Sequence, residues 1–384
     1  MSINLVADSI SKEDIAKLCA WLESDPRLTK DKLTLEIEEK FAKLIGVKHS
    51  VFVNSGSSAN FMMMSLLKES GVKSIVIPSI CWATNLSPAY FLDVNPIICD
   101  CNLDDLSIDL KHLEFLLATY KPEALFLVSV LGMSVNIDKV KEICARHKVS
   151  IIEDNCESLL TRYQNSNSVM GSDDDVLMSS YSTFYGHHMS TIEGGFITTN
   201  DDCLYESLKM MRAHGWSRDL PDANKKVLRE EYDISEWEEK YTFYIPGLNF
   251  RNTEISAFLG LLQIDKMQEN INVRTANANL FYDSVSLTWK PKITPTFSLP
   301  LILDSKEQRV ELINRLEANQ IECRPLIAGN IARQPVFKTC YPHLSFETPN
   351  ADVVHERGMY IPNHNKLSDD DLKLMIEVVN SVTN

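Results

Sequence analysis

A chain of 384 residues with 44% hydrophobic and 24% charged side chains is long enough for a large domain plus a smaller appended one, and its composition excludes disordered and fibrous architectures. A formal net charge of −15 argues against duplex nucleic acid and anionic membrane surfaces as general partners, since both select clustered Lys and Arg. Nine scattered cysteines read as free thiols, no apolar run reaches membrane-spanning length, and the start is not a basic stretch followed by an apolar one, so the expected location is the cytoplasm.

The first elements are helical: Ser11 caps a run with Ile15, Leu18, Trp21 and Leu22, and residues 34–44 place Leu35, Ile37, Phe41 and Leu44 on one face. Short apolar strands then alternate with helices. The strands are expected at 50–53, 74–78, 96–99, 124–130, 149–153, 176–181 and 195–199, with helices at 58–68, 110–119 and 137–146. This rhythm predicts a mainly parallel seven-stranded sheet flanked by helices, with ligands at the carboxyl ends of the strands. Residues 221–240, rich in Lys and Glu, read as an exposed excursion. Beyond them, 252–281 reads as one long helix or a broken pair, followed by strand 298–303, helix 306–319, strand 321–325, a loop and a final helix 369–382. The expected division is 1–250 for the large α/β domain and 251–384 for a smaller α+β domain.

Three segments carry chemistry. VNSGSSAN, residues 53–60, ends a strand and opens a helix at Gly56, so its free amides and the positive helix end offer a phosphate cradle; an ordinary Gly/Ser-rich turn reads the same way. IIEDNCES, 151–158, puts Asp154 at the sheet edge, where a carboxylate can keep a pyridine nitrogen protonated, although acids are common at strand ends. YSTFYGHHMSTIEGG, 181–195, offers Ser182 to a phosphate and the adjacent His187 and His188, of which one is expected to be scaffolding. No third ligand has sensible spacing for a metal on the histidine pair, and the lone pair Cys99 and Cys101 is poor support for zinc or an iron–sulfur cluster.

These segments, taken in order with PSICWAT, AHGWSRD, GLNFR and IECRP, resemble the DegT/DnrJ/EryC1/StrS family of sugar aminotransferases and dehydratases from about residue 30 to the C-terminus. The resemblance implies a fold-type I, aspartate-aminotransferase-like homodimer with active sites at the subunit interface and pyridoxal or pyridoxamine 5′-phosphate as cofactor. Gly56, Ser57 and Ser182 would then hold the cofactor phosphate, Trp82 would stack on the ring, Asp154 would pair with the ring nitrogen and Glu157 would meet the ring hydroxyl. Asn249 would reach the phosphate of the neighbouring subunit's cofactor. His214, Arg218, Arg251 and Arg324 would lie on the substrate side, where cations could face a diphosphate or a glutamate carboxylate, or else form structural ion pairs.

One departure decides the expected activity. Family aminotransferases carry a lysine six residues before the Glu of GEGG; here that position is His187, and no lysine occurs between Lys148 and Lys209. The cofactor would therefore be held without a covalent tether. Histidine there resembles the branch typified by GDP-4-keto-6-deoxy-D-mannose 3-dehydratases, and the lack of cysteines over 221–249 favours an enzyme without an iron–sulfur cluster. The resemblance implies loss of the C3 hydroxyl from a nucleotide-diphosphate 4-keto-6-deoxy sugar, with L-glutamate restoring the amine form of the cofactor. An aminotransferase-like activity and a cofactor-binding pseudoenzyme are the alternatives.

Overall fold

The computed structural model describes residues 2–164 and 166–383. Its centre is a seven-stranded sheet formed by β1 (His49–Val53), β2 (Ser74–Pro78), β3 (Asn95–Cys99), β4 (Ala124–Val128), β5 (Ser150–Asp154), β6 (Val176–Ser182) and β7 (Gly195–Thr199) in the order β1-β7-β6-β5-β4-β2-β3. β7 alone runs against the other six strands, pairing antiparallel with β1 on one side and β6 on the other. The sheet is buried on both faces, which explains why strands such as β4, ALFLV, are continuous apolar runs.

Alternate residues go to opposite faces. Ile75, Ile77, Phe126 and Val128 pack with Ala59, Met62, Met63 and Leu86 from helices Gly56–Glu69 and Ala83–Phe91. Val76, Leu125 and Leu127 point the other way, toward Leu113, Leu117, Val140 and Ile143 of helices Leu110–Tyr120 and Ile137–His147. Phe52, Tyr181 and Phe196 form a third cluster with Ile37 and Phe41 of helix Lys32–Ile45.

A smaller antiparallel sheet has the order β8-β10-β9, with β8 Leu299–Ile302, β9 Arg324–Pro325 and β10 Gly358–Ile361. Helices Met267–Ser284, Lys306–Ala318 and Asp369–Thr383 cover it through Phe281, Leu312, Leu316, Met375 and Val379. Ile3 joins the same cluster, so the N-terminal segment is part of this unit's core.

Several expected elements are adjusted. Strand 124–130 stops at Val128, because Leu131 takes a φ of 54° inside a short 3₁₀ turn at Val130–Gly132. The expected helix over 252–281 is a broken pair, Glu254–Gln263 and Met267–Ser284, separated by one 3₁₀ turn. Strand 321–325 shrinks to Arg324–Pro325, since Ile321 bridges Ile3 instead. The excursion contains helix Asp222–Tyr232, which buries none of its residues. Helices Ala83–Phe91 and Pro349–Arg357 and strand β10 were not foreseen. No helix among the described residues is long and apolar enough to cross a membrane.

Candidate active site

A cavity of about 430 Å³ opens at the carboxyl edge of the large sheet. The parallel strands all end there, so the residues just past β1, β4, β5 and β6 converge without any long loop having to carry them.

At the end of β1 the Ser55 hydroxyl accepts the Ser58 amide at 3.0 Å and starts helix Gly56–Glu69. The first-turn amides of Gly56 and Ser57 thus sit at the positive end of a 14-residue helix that opens into the cavity. Glycine is needed here for contact rather than for conformation: a Cβ on Gly56 would stand 2.8 Å from Ser182 Cβ. One on Gly195 would stand 2.6 Å from the Gly56 nitrogen. The two glycines let the ends of β1, β6 and β7 pack closely together, with Gly56 and Ser182 lining the cavity.

Asp154, the last residue of β5, is 5% exposed and held firmly. Its Oδ2 accepts hydrogen bonds from the Asn60 and Asn85 side-chain amides, each at 2.7 Å, and its Oδ1 accepts the Cys156 backbone amide at 2.9 Å. Asn85 also accepts the Trp82 amide at 3.1 Å, so one asparagine fixes both the carboxylate and the start of the helix that carries Trp82. Trp82 lines the cavity and is 58% exposed, an unusual setting for an indole.

His187 lines the same cavity, with Nδ1 at 3.5 Å from Ser182 Oγ and its ring centroid 5.3 Å from that of Phe297. Burial pushes its pKa down to about 4, partly offset by Asp154 and reinforced by Arg274. At neutral pH the imidazole is therefore uncharged and able to accept a proton. His188 diverges, as expected of adjacent residues: it is buried, and its Nε2 lies 3.2 Å from the Thr296 carbonyl. Glu157 accepts the Leu131 amide at 2.8 Å, and burial raises its carboxyl pKa to about 7.

The cavity brings together Gly56, Ser57, Trp82, Asp154, Glu157, Ser182 and His187. The other expected residues lie elsewhere. Asn249 is exposed on a bridge with Ala213, His214 meets Trp216 edge-on, and the Arg218 guanidinium lies over the Trp216 ring. Arg251 keeps its NH1 buried without a partner among the described residues, and exposed Arg324 sits opposite Tyr360 and 3.6 Å from Glu322. Sequence reasoning missed Leu5, Val6, Asn85, Arg274, Phe297 and Tyr360, all of which line the cavity. Asn85 follows directly on the PSICWAT segment, three residues past Trp82, and could have been picked out by its capping position; the others carry no local signal.

The family model of the DegT/DnrJ/EryC1/StrS aminotransferases matches residues 8–382. A GDP-4-keto-6-deoxy-D-mannose 3-dehydratase of Escherichia coli O55:H7 is 31% identical over 360 residues, covering 90% of this chain and 91% of its own length. The enzyme of the same name from Yersinia pseudotuberculosis is 32% identical over 344 residues, 86% of each chain. The solved E. coli GDP-4-keto-6-deoxy-D-mannose 3-dehydratase with bound hydrated pyridoxal phosphate superposes with a TM-score of 0.88 at 27% identity, covering 99% of both chains. This chain belongs to the DegT/DnrJ/EryC1/StrS aminotransferase family.

Proposed function

We propose that the protein is a 3-dehydratase of a nucleotide-diphosphate 4-keto-6-deoxy sugar of the GDP-4-keto-6-deoxy-D-mannose type, working with pyridoxamine 5′-phosphate held non-covalently. The observation that carries this reading is His187 in a cavity that no lysine lines among the described residues. The cofactor fits the side chains present: an anion cradle that only glycine allows, a fixed carboxylate for a ring nitrogen, and an exposed indole for a ring face. When bound, the cofactor supplies the amine that condenses with the sugar ketone and a ring that takes up electrons.

The chain's own groups do the rest. Gly56, Ser57 and Ser182 bind the phosphate, Asp154 holds a proton on the ring nitrogen, Trp82 covers the ring and Glu157 faces its hydroxyl. His187, with Nδ1 turned toward Ser182, uses Nε2 to take a proton beside the reacting amine and return one to the departing C3 oxygen. A lysine amine there would capture the cofactor and favour retention of nitrogen on the sugar. Asn249 reaches the neighbouring subunit's site in a homodimer, where His214, Arg218, Arg251 and Arg324 face the sugar diphosphate. L-Glutamate restores the amine form. Nine unpaired cysteines fit a reducing, cytoplasmic setting.

The test is mass spectrometry of the products from a panel of nucleotide-linked 4-keto-6-deoxy sugars supplied with pyridoxamine phosphate and glutamate. The expected product has lost the C3 oxygen and retains no nitrogen, with ammonia released. A product carrying nitrogen at C4 and an intact C3 hydroxyl would make this an aminotransferase.

A further inference from the structure

Arg274 is a cation in want of an anion. It is 8% exposed, projects from helix Met267–Ser284 and is the one Lys or Arg among the described residues lining the cavity. Its NH1 donates to the carbonyls of Phe297, at 2.7 Å, and Asn363. Its Nε is buried without an acceptor among the described residues. Arg212, also buried and also with an unpartnered Nε, is instead neutralised by Glu38 and Asp219, whereas Arg274 has no carboxylate within 4 Å among the described residues. A guanidinium taken out of water and fixed by neutral carbonyls is costly unless an anion arrives to complete it.

Its position says which anion. The Phe297 ring lies 5.3 Å from the His187 ring and 5.9 Å from the Arg274 guanidinium carbon, so the cation stands one aromatic ring away from the proton-transfer group. A sugar diphosphate hangs from the anomeric carbon, across the pyranose ring from the reacting C4, and so points away from that group. The α-carboxylate of an amino acid sits on the carbon that bears the reacting amine and so cannot lie far from it. Resting on the dehydratase reading above, we propose that Arg274 is the anchor for the α-carboxylate of the amino donor, and that the donor is restricted to α-amino acids. In that half-reaction the donor's amine passes to the aldehyde form of the cofactor, the donor leaves as its 2-oxo acid, and no other oxidant or reductant is required.

Two donors separate this contact from a merely structural one: L-glutamate, and 4-aminobutyrate, which lacks the α-carboxylate. Conversion of pyridoxal to pyridoxamine phosphate on the protein is followed by absorbance, and binding of α-methyl-L-glutamate, which cannot lose an α-proton, is followed by calorimetry. Arg274→Gln is expected to lower kcat/KM for glutamate about 100-fold and to weaken α-methylglutamate comparably, the scale of a lost charge-assisted contact. The reaction with 4-aminobutyrate, expected to be slow in the wild type, should fall less than about threefold, and Arg274→Lys should recover part of the glutamate rate. Equal losses with both donors, or unchanged affinity for α-methylglutamate, would overturn the assignment. A wild-type protein that aminates its cofactor with glutamate yet leaves every sugar unchanged would overturn the dehydratase reading while leaving the Arg274 contact standing.

Discussion

His187 is useful because of what surrounds it. Burial holds its pKa near 4, against an ordinary value of 6.5, so the neutral base persists well into acid. If His187 is the base, activity is lost when its imidazole is protonated, so kcat/KM for the sugar is expected to hold its plateau through pH 6 and to fall on the acid side with an apparent pKa well below 6.5. An acid limb centred at or above 6.5 would show that another group provides the base. His187→Asn should retain the cofactor but lose about 1,000-fold in deoxygenation, within the usual range for a positioned acid–base group. His187→Lys should retain pyridoxal phosphate as a borohydride-reducible adduct at position 187, located by peptide mapping; an adduct at any other lysine in the wild type would contradict the untethered arrangement.

Among the elements, the turn from β1 into helix Gly56–Glu69, proposed above to hold the phosphate, depends on backbone contact more than on side chains. Gly56→Ala would drive a Cβ to 2.8 Å from Ser182 Cβ, so the helix has to retreat from the end of β6. The expected cost is about 2 kcal/mol in urea unfolding, with affinity for pyridoxamine phosphate reduced at least about tenfold. Gly71→Ala is the control: its φ of 95° strains any side chain, but nothing lies within 4 Å of the added carbon. It should cost stability and spare cofactor affinity, and equal affinities in the two variants would detach the cradle from cofactor binding. The strands that build this edge were legible because both sheet faces are buried and the runs from Ile75 to Pro78 and from Ala124 to Val128 are uninterrupted. Asp154, Ser182 and His187 were legible because each lies at or just beyond a strand end. Helix Pro349–Arg357 and β10 were not legible, because β10 is only four residues long and gains its stability from β8 and β9, segments more than 30 residues away in sequence. Arg274, Phe297 and Val6 reach the cavity only through folding, and no local pattern marks them.

The whole molecule leaves Asn249 in an awkward place: exposed, and outside the cavity that the other residues expected at the cofactor line. The loop that carries His187 also exposes Phe184, Tyr185 and Ile192, a cluster of apolar side chains that a second subunit would cover. In a two-fold dimer the same surfaces meet reciprocally, so each site would combine His187 of one chain with Asn249 of the other. That arrangement predicts complementation. His187→Asn and Asn249→Ala dimers, assayed separately at limiting cofactor, should each be nearly inactive. When the two are unfolded together and refolded, half of the dimers are mixed; in each of these one site carries both defects and the other carries neither. About a quarter of wild-type activity should return, in a species of twice the 43.6 kDa chain mass. If each chain instead builds its site alone, every site in the mixture keeps a defect, and the activity will stay at the average of the two parents.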